Sequence, residues 1–197
     1  MKQFIRFSSS VVLITILFLS FLYINGCQYD YTSPLPGIIE IRLKTISDPT
    51  QIDFLPLNSF TLTISQLTAI RSNNTKVLMY SDIKAFDTKP IIVNTLDPSA
   101  RDSMLIIGQT FAPPDEYIGV DVLLEPAKKI ILEGYRQIDV ERPEGFSPLL
   151  SFRKSYTVNE GKQTIITLTI DLNKSLKKGA FTYTFEPYYE ITSIQYQ

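Results

Sequence analysis

Residues 163–172, QTIITLTIDL, decide the fold class. Ile166, Leu168, Ile170 and Leu172 fall on one side of an extended chain, with Ile165, Thr167, Thr169 and Asp171 on the other. A period of two marks a β-strand, because successive side chains leave opposite faces of the pleat. The pattern sets the first group toward a core and the threonines toward water. Asn159-Glu160-Gly161 before it and Ser175 to Gly179 after it supply the turns.

The chain on either side repeats this grammar. Ile39, Ile41 and Leu43 alternate with Glu40, Arg42 and Lys44, which predicts a half-buried strand opening at Gly37. Ser47 to Asn58 reads as a loop with two prolines. Phe60, Leu62 and Ile64 then share a face, while Leu67 and Ala69 have the opposite parity. A one-residue slip would turn the apolar face outward, so a β-bulge near Ser65 or Gln66 is expected. Ser72-Asn73-Asn74-Thr75 predicts a hairpin turn, since Asn tolerates left-handed backbone, with Val77 to Tyr80 returning. Ser81 to Lys89 is either a short edge segment or an irregular loop. Pro90 to Asn94 and Met104 to Ile107 are short apolar runs, and Pro113 to Glu116 is a turn. Ile118, Val120, Val122 and Leu124 alternate as a further strand. Lys129 to Glu133 and Tyr135 to Glu141 are a hairpin around Gly134 or two edge strands. After the loop from Arg142 to Pro148, Leu150 to Val158 is a strand. Phe181, Tyr183 and Phe185 form a last aromatic face, and Pro187 breaks the chain into Tyr188 to Tyr196.

No stretch after residue 36 carries a 3.6-residue period with caps. Turn signals at spacings of about 8–12 residues favour a sandwich. The expectation is an all-β protein with one antiparallel β-sandwich over residues 37–197.

Residues 4–27, FIRFSSSVVLITILFLSFLYINGC, precede it. Lys2 and Arg6 make a positive start, Val11 to Ile24 an apolar run, and Ile24-Asn25-Gly26-Cys27 a close in small residues. That is the layout of a secretory signal. The fourteen-residue run spans about 21 Å as helix, short of the roughly 30 Å bilayer core. An uncleaved N-terminal helix is the alternative. The last four residues resemble the lipobox of bacterial lipoproteins, which implies cleavage before Cys27 and acylation of that residue. Cys27 is the chain's one cysteine, so it has no internal disulfide partner. Residues 1–26 are then the signal peptide and 27–36 the lipidated Cys and tether. Gln28, rather than Asp, follows the cysteine, which favours the outer membrane or cell surface over the inner membrane.

Lys2 and Arg6 leave with a signal that has no acid, so 17 basic against 20 acidic side chains give −3. That balance excludes a nucleic-acid binder. The chain has no His, which removes Ser-His-Asp and Cys-His nucleophiles and the commonest transition-metal ligand. Catalysis would fall to carboxylates, Lys, Tyr and Ser/Thr, and no cofactor motif is present.

Gly37 before the first strand, Asp48-Pro49, FTLTISQLTAI, PPDEYIGVDVLL, YTVNEGKQTIITLTIDLNKSL and FTYTFEPYYEI together resemble a group of bacterial lipoproteins that carry a domain of unknown function, number 4382. The resemblance spans most of residues 37–194 and departs at Asp48-Pro49, where the family usually has an intervening residue, and over residues 81–103. It implies an Ig-like or transthyretin-like sandwich and brings no established activity.

Two groups of residues are candidates for chemistry. Asp115-Glu116, Asp121 and Glu125 offer carboxylates for Ca²⁺ or for glycoside hydrolysis, against a solvated turn and the wet face of a strand. Tyr188 and Tyr189 point opposite ways after Pro187, so at least one is a candidate ligand contact near the surface. The expected function is a non-catalytic envelope lipoprotein that binds or structures. Its partners would be membrane lipid through acylated Cys27 and an envelope protein or polysaccharide. A carboxylate-based envelope hydrolase or a carbohydrate-binding protein is the alternative.

Overall fold

The computed structural model describes residues 33–47, 57–81, 90–96, 104–132 and 136–197. The signal peptide, Cys27 and residues 82–89 and 97–103 lie outside them. Residues 34–197 form one compact unit.

The unit is all-β, with strands in three sheets. Sheet 1 holds, in order, β14 (Tyr188–Tyr196), β11 (Gln163–Asp171), β1 (Gly37–Ile46) and β6 (Leu105–Ala112). Sheet 2 holds β10 (Leu149–Val158), β7 (Asp115–Pro126), β3 (Thr61–Arg71) and β4 (Lys76–Ser81), with β5 (Ile91–Asn94) beside the first half of β3. Sheet 3 is built from short strands: β12 (Leu176–Lys178), β13 (Tyr183–Phe185), β9 (Gln137–Glu141), β8 (Lys129–Leu132) and β2 (Leu57–Ser59). The expectation of a uniformly antiparallel sheet system is corrected at two places. β1 pairs with β11 in parallel, and β13 pairs with β9 in parallel. Alternation reveals which side chains share a face, but not the direction in which a strand is laid beside its neighbour.

Sheets 1 and 2 share a core. Phe152 on β10 meets Tyr189 on β14 with ring centroids 4.8 Å apart. A Cβ on Gly108 of β6 would lie 2.5 Å from Leu67 Cδ2 of β3, so a larger residue there would have to push the Leu67 side chain aside. Phe60, Phe146 and Phe185 join sheet 3 to this core at centroid distances of 5.5 and 6.4 Å.

The bulge in β3 lies where the parity slip requires it. Ile64 pairs with Leu124 and Gln66 with Leu123, leaving Ser65 as the extra residue. Phe60, Leu62 and Ile64 before it and Leu67 and Ala69 after it are all fully buried. Asn74 takes the left-handed backbone of the expected turn, at φ 64°.

Four details differ from expectation. On β7, Arg71 pairs with Tyr117 and Ile70 with Gly119, which bulges Ile118 out and brings Tyr117 into the core. Phe181 is 92% exposed, because the chain turns there, Gly179 N–H donating to Thr182 O, and β13 starts only at Tyr183. The strand through residues 163–171 ends in a single helical turn, α1 (Leu172–Ser175), with Asp171 Oδ1 accepting from the Lys174 amide. Both faces of β11 are buried from Thr164 to Ile170. Its outward threonines are covered by neighbours: Met104 Sδ lies 3.9 Å from Thr167 Oγ1, Ser193 Oγ 2.9 Å from the same atom, and Thr192 Oγ1 2.8 Å from Thr169 Oγ1.

Tyr117 and Tyr156 stack in the core at 5.3 Å and 13°. Their hydroxyls donate to Pro113 O at 3.0 Å and to Gly119 O at 3.4 Å. Burial pushes the ionisation of both phenols above the ordinary value of 10.0, that of Tyr156 far above it. The unfolded chain therefore loses these protons first, and stability falls as pH rises past about 10. Tyr156→Phe should flatten that alkaline loss, read from urea midpoints between neutral pH and pH 11. Leu168→Ala should cost about 2–5 kcal/mol. Thr167→Ala should cost about 1 kcal/mol, because its hydroxyl accepts a bond on a covered face. Equal losses at Leu168 and Thr167 would contradict the facing assigned to β11.

Candidate functional site

The outer face of sheet 1 divides into a polar half and an apolar margin. Across it, Ile38 pairs with Phe111 and Gln163, Glu40 with Gln109 and Ile165, and Arg42 with Ile106 and Thr167. The centre is closed by polar contacts. Glu40, 5% exposed, accepts from Arg42 Nε at 2.6 Å and from Gln163 Nε2 at 2.8 Å. The margin along β6 is different. Phe111 is 71% exposed and Ile106 54%, with Met104 and Leu105 also exposed. From Met104 to Pro114 the sequence carries no charge. Ile38, Gln109, Thr110 and Phe111 line an open depression of about 340 Å³.

This margin meets the end of the domain where β1 begins. Gly37 pairs with Ala112, and Gln163 exchanges backbone hydrogen bonds with Gln197. The Leu35 N–H donates to Glu160 Oε1 at 2.8 Å, which fixes the incoming chain against the turn before β11. Leu35 itself is 65% exposed. No motif marked Phe111 or Ile106 beforehand. The signal was the uncharged run 104–114, which reads equally well as a buried strand until its neighbours are known.

The carboxylates do not converge. Asp115 bonds Arg71 Nε at 2.8 Å. Asp121, nearly buried, accepts from Ser151 Oγ at 3.0 Å and pairs with Arg153 at 2.8 Å and Lys76 at 3.8 Å. Six residues of strand separate the two by about 20 Å. Among the described residues no group of three or more acids or cysteines is placed to hold a metal ion.

Tyr188 and Tyr189 do point opposite ways. Tyr189 turns inward onto Phe152. Tyr188 is 46% exposed, with Lys174 Nζ 4.3 Å from its ring centroid. The hydrogen bond to Asp171, followed by the charges of Asp171, Tyr188 and Glu190, holds the Lys174 ammonium above the ordinary lysine value. One face of the Tyr188 ring is thus covered by a cation.

The hydrogen bonds from the Glu116 amide and from Arg71 keep the Asp115 carboxyl below its ordinary 3.8. A lowered folded value contributes stability above pH 3.8 that disappears as pH falls through it. The difference in urea midpoint between wild type and Asp115→Asn should therefore be present at neutral pH and vanish on acidification below 3.8. A difference independent of pH would show that Arg71 gains nothing from the charge. No family model, curated protein or solved structure matches the chain.

Proposed function

We propose that the chain is a lipid-anchored protein of the cell envelope whose domain binds or structures rather than catalyses. In this reading sheets 1 and 2 are the two layers of a β-sandwich of the Ig-like or transthyretin-like kind, as in the 4382 lipoproteins it resembles, and sheet 3 closes one end. Residues 1–26 direct export, Cys27 carries the lipid, and the outer membrane or cell surface is the address. The partner is an envelope protein or polysaccharide.

The observation that carries the binding reading is the uncharged margin of sheet 1. Phe111 stands exposed beside a shallow depression, and Ile106 and Met104 carry exposed apolar surface further along the same strand. Exposed apolar surface of this kind marks contact with a partner or with lipid. The hydrolase reading is less well supported, because Asp115 and Asp121 are held apart by different cations.

Cys27→Ser tests the address. Wild-type protein should take up a palmitate analogue during growth, and the mutant should take up none. It should also persist as an unprocessed precursor about 26 residues longer than the mature form. A wild type without label, or a mutant cut to the mature size, would remove the lipid anchor from the proposal.

A further inference from the structure

We propose that the end of the domain bearing Phe111 and Leu35 seats on the lipid surface to which the chain is anchored; this rests on the lipid-anchor reading above. Three observations lead there.

The first is reach. The Leu35 N–H is bonded to Glu160, so the chain is fixed to the domain from that residue onward. Cys27 lies eight residues earlier, and eight residues span at most about 29 Å whatever their conformation. The acyl chains hold Cys27 at the lipid surface, so the β1 end of the domain cannot leave its neighbourhood.

The second is what that end presents. Leu35 and Phe111 are 65% and 71% exposed there, and Ile38 pairs with Phe111 at the lip of the depression. Tyr196, 54% exposed, stands at the same end of β14. Apolar side chains with a tyrosine at the rim suit the boundary between headgroups and acyl chains.

The third is charge. Arg71 pairs with Asp115 and Lys76 with Asp121 at this end, and Lys162 shares the turn before β11 with Glu160, which leaves no excess of positive charge. An end without excess positive charge gains nothing from an anionic surface, and a zwitterionic one sets no net charge against it. Apolar contact then supplies the attraction, and added salt should leave it unchanged.

The chain contains no tryptophan, so a single introduced one reports its own surroundings. The full chain, acylated in a bacterial host, is prepared as Phe111→Trp and as Phe181→Trp. The second position is 92% exposed and lies in the turn after β12, beyond the end of β11 opposite Gly37. Each variant is reconstituted on phosphatidylcholine vesicles with and without bromine-labelled acyl chains. F111W should emit at shorter wavelength on the vesicles and lose intensity with the brominated lipid, at low and high salt alike. F181W should do neither. Flotation of the vesicles separates the two readings. Protein that fails to float overturns the lipid anchor. Protein that floats while F111W is unquenched overturns this proposal and leaves the anchor standing. Quenching of F181W in place of F111W would turn the domain the other way up and also overturn it.

Discussion

The parallel ladder between β1 and β11 is the interaction on which the rest of the domain depends. It joins the first strand to one near the end of the chain, from Ile38 beside Gln163 to Ile46 beside Asp171. β6 and β14 flank that pair, one on each side, and the inner row of Ile39, Ile41, Leu43, Ile166, Leu168 and Ile170 forms the floor of the core. Burial of that row contributes far more than any ion pair on the surface, at about 25 cal/mol per Å² of apolar area removed from water. The requirement also shapes folding. A sheet whose centre comes from opposite ends of the domain pays a large loop-closure cost before it is rewarded, which places it among slowly folding topologies.

Much of this was legible in the residues. The slip from Phe60, Leu62 and Ile64 to Leu67 and Ala69 fixes both the existence and the place of the β3 bulge, because burial leaves only one register open. Asn73-Asn74 identifies the turn for a similarly local reason. What stayed hidden is what neighbours decide. Tyr117 displaces Ile118 from the core because β3 is one residue short there. Thr167 looks like a residue facing water until Met104 and Ser193 are laid over it. Phe181 shares parity with Tyr183 and Phe185, yet the Gly179–Thr182 turn removes it from the strand. Strand direction leaves no trace in alternation at all, so the parallel pairing had no local signal.

The candidate surfaces follow the same division. The opposite facing of Tyr188 and Tyr189 could be read from adjacency, and the structure adds that Lys174 occupies one ring face of the outward one. The acids on β7 are close in sequence, but a strand spaces alternate residues nearly 7 Å apart, so proximity in the chain works against convergence in space. Arg71 then ties Asp115, and Arg153 and Lys76 tie Asp121, into ion pairs across strands. The apolar margin of β6 is the converse case. Its residues look like core material, and they stand at the surface because β6 is the last strand of sheet 1 among the described residues.

The position of β1 has a mechanical meaning. A chain held at its N-terminal side transmits any pull on the domain into the start of β1, along the strand's own axis. β1 is flanked by hydrogen-bonded neighbours on both sides, so such a pull loads two ladders in shear. The bonds of both must yield together, instead of opening one after another as they would at an edge strand peeled from its end. The strand that takes the load also buries Ile39, Ile41 and Leu43 in the core. An attachment at β6 or β14 would load a single ladder of this sheet, whereas an entry through Leu35 and Gly37 leads force into a strand bonded on both sides.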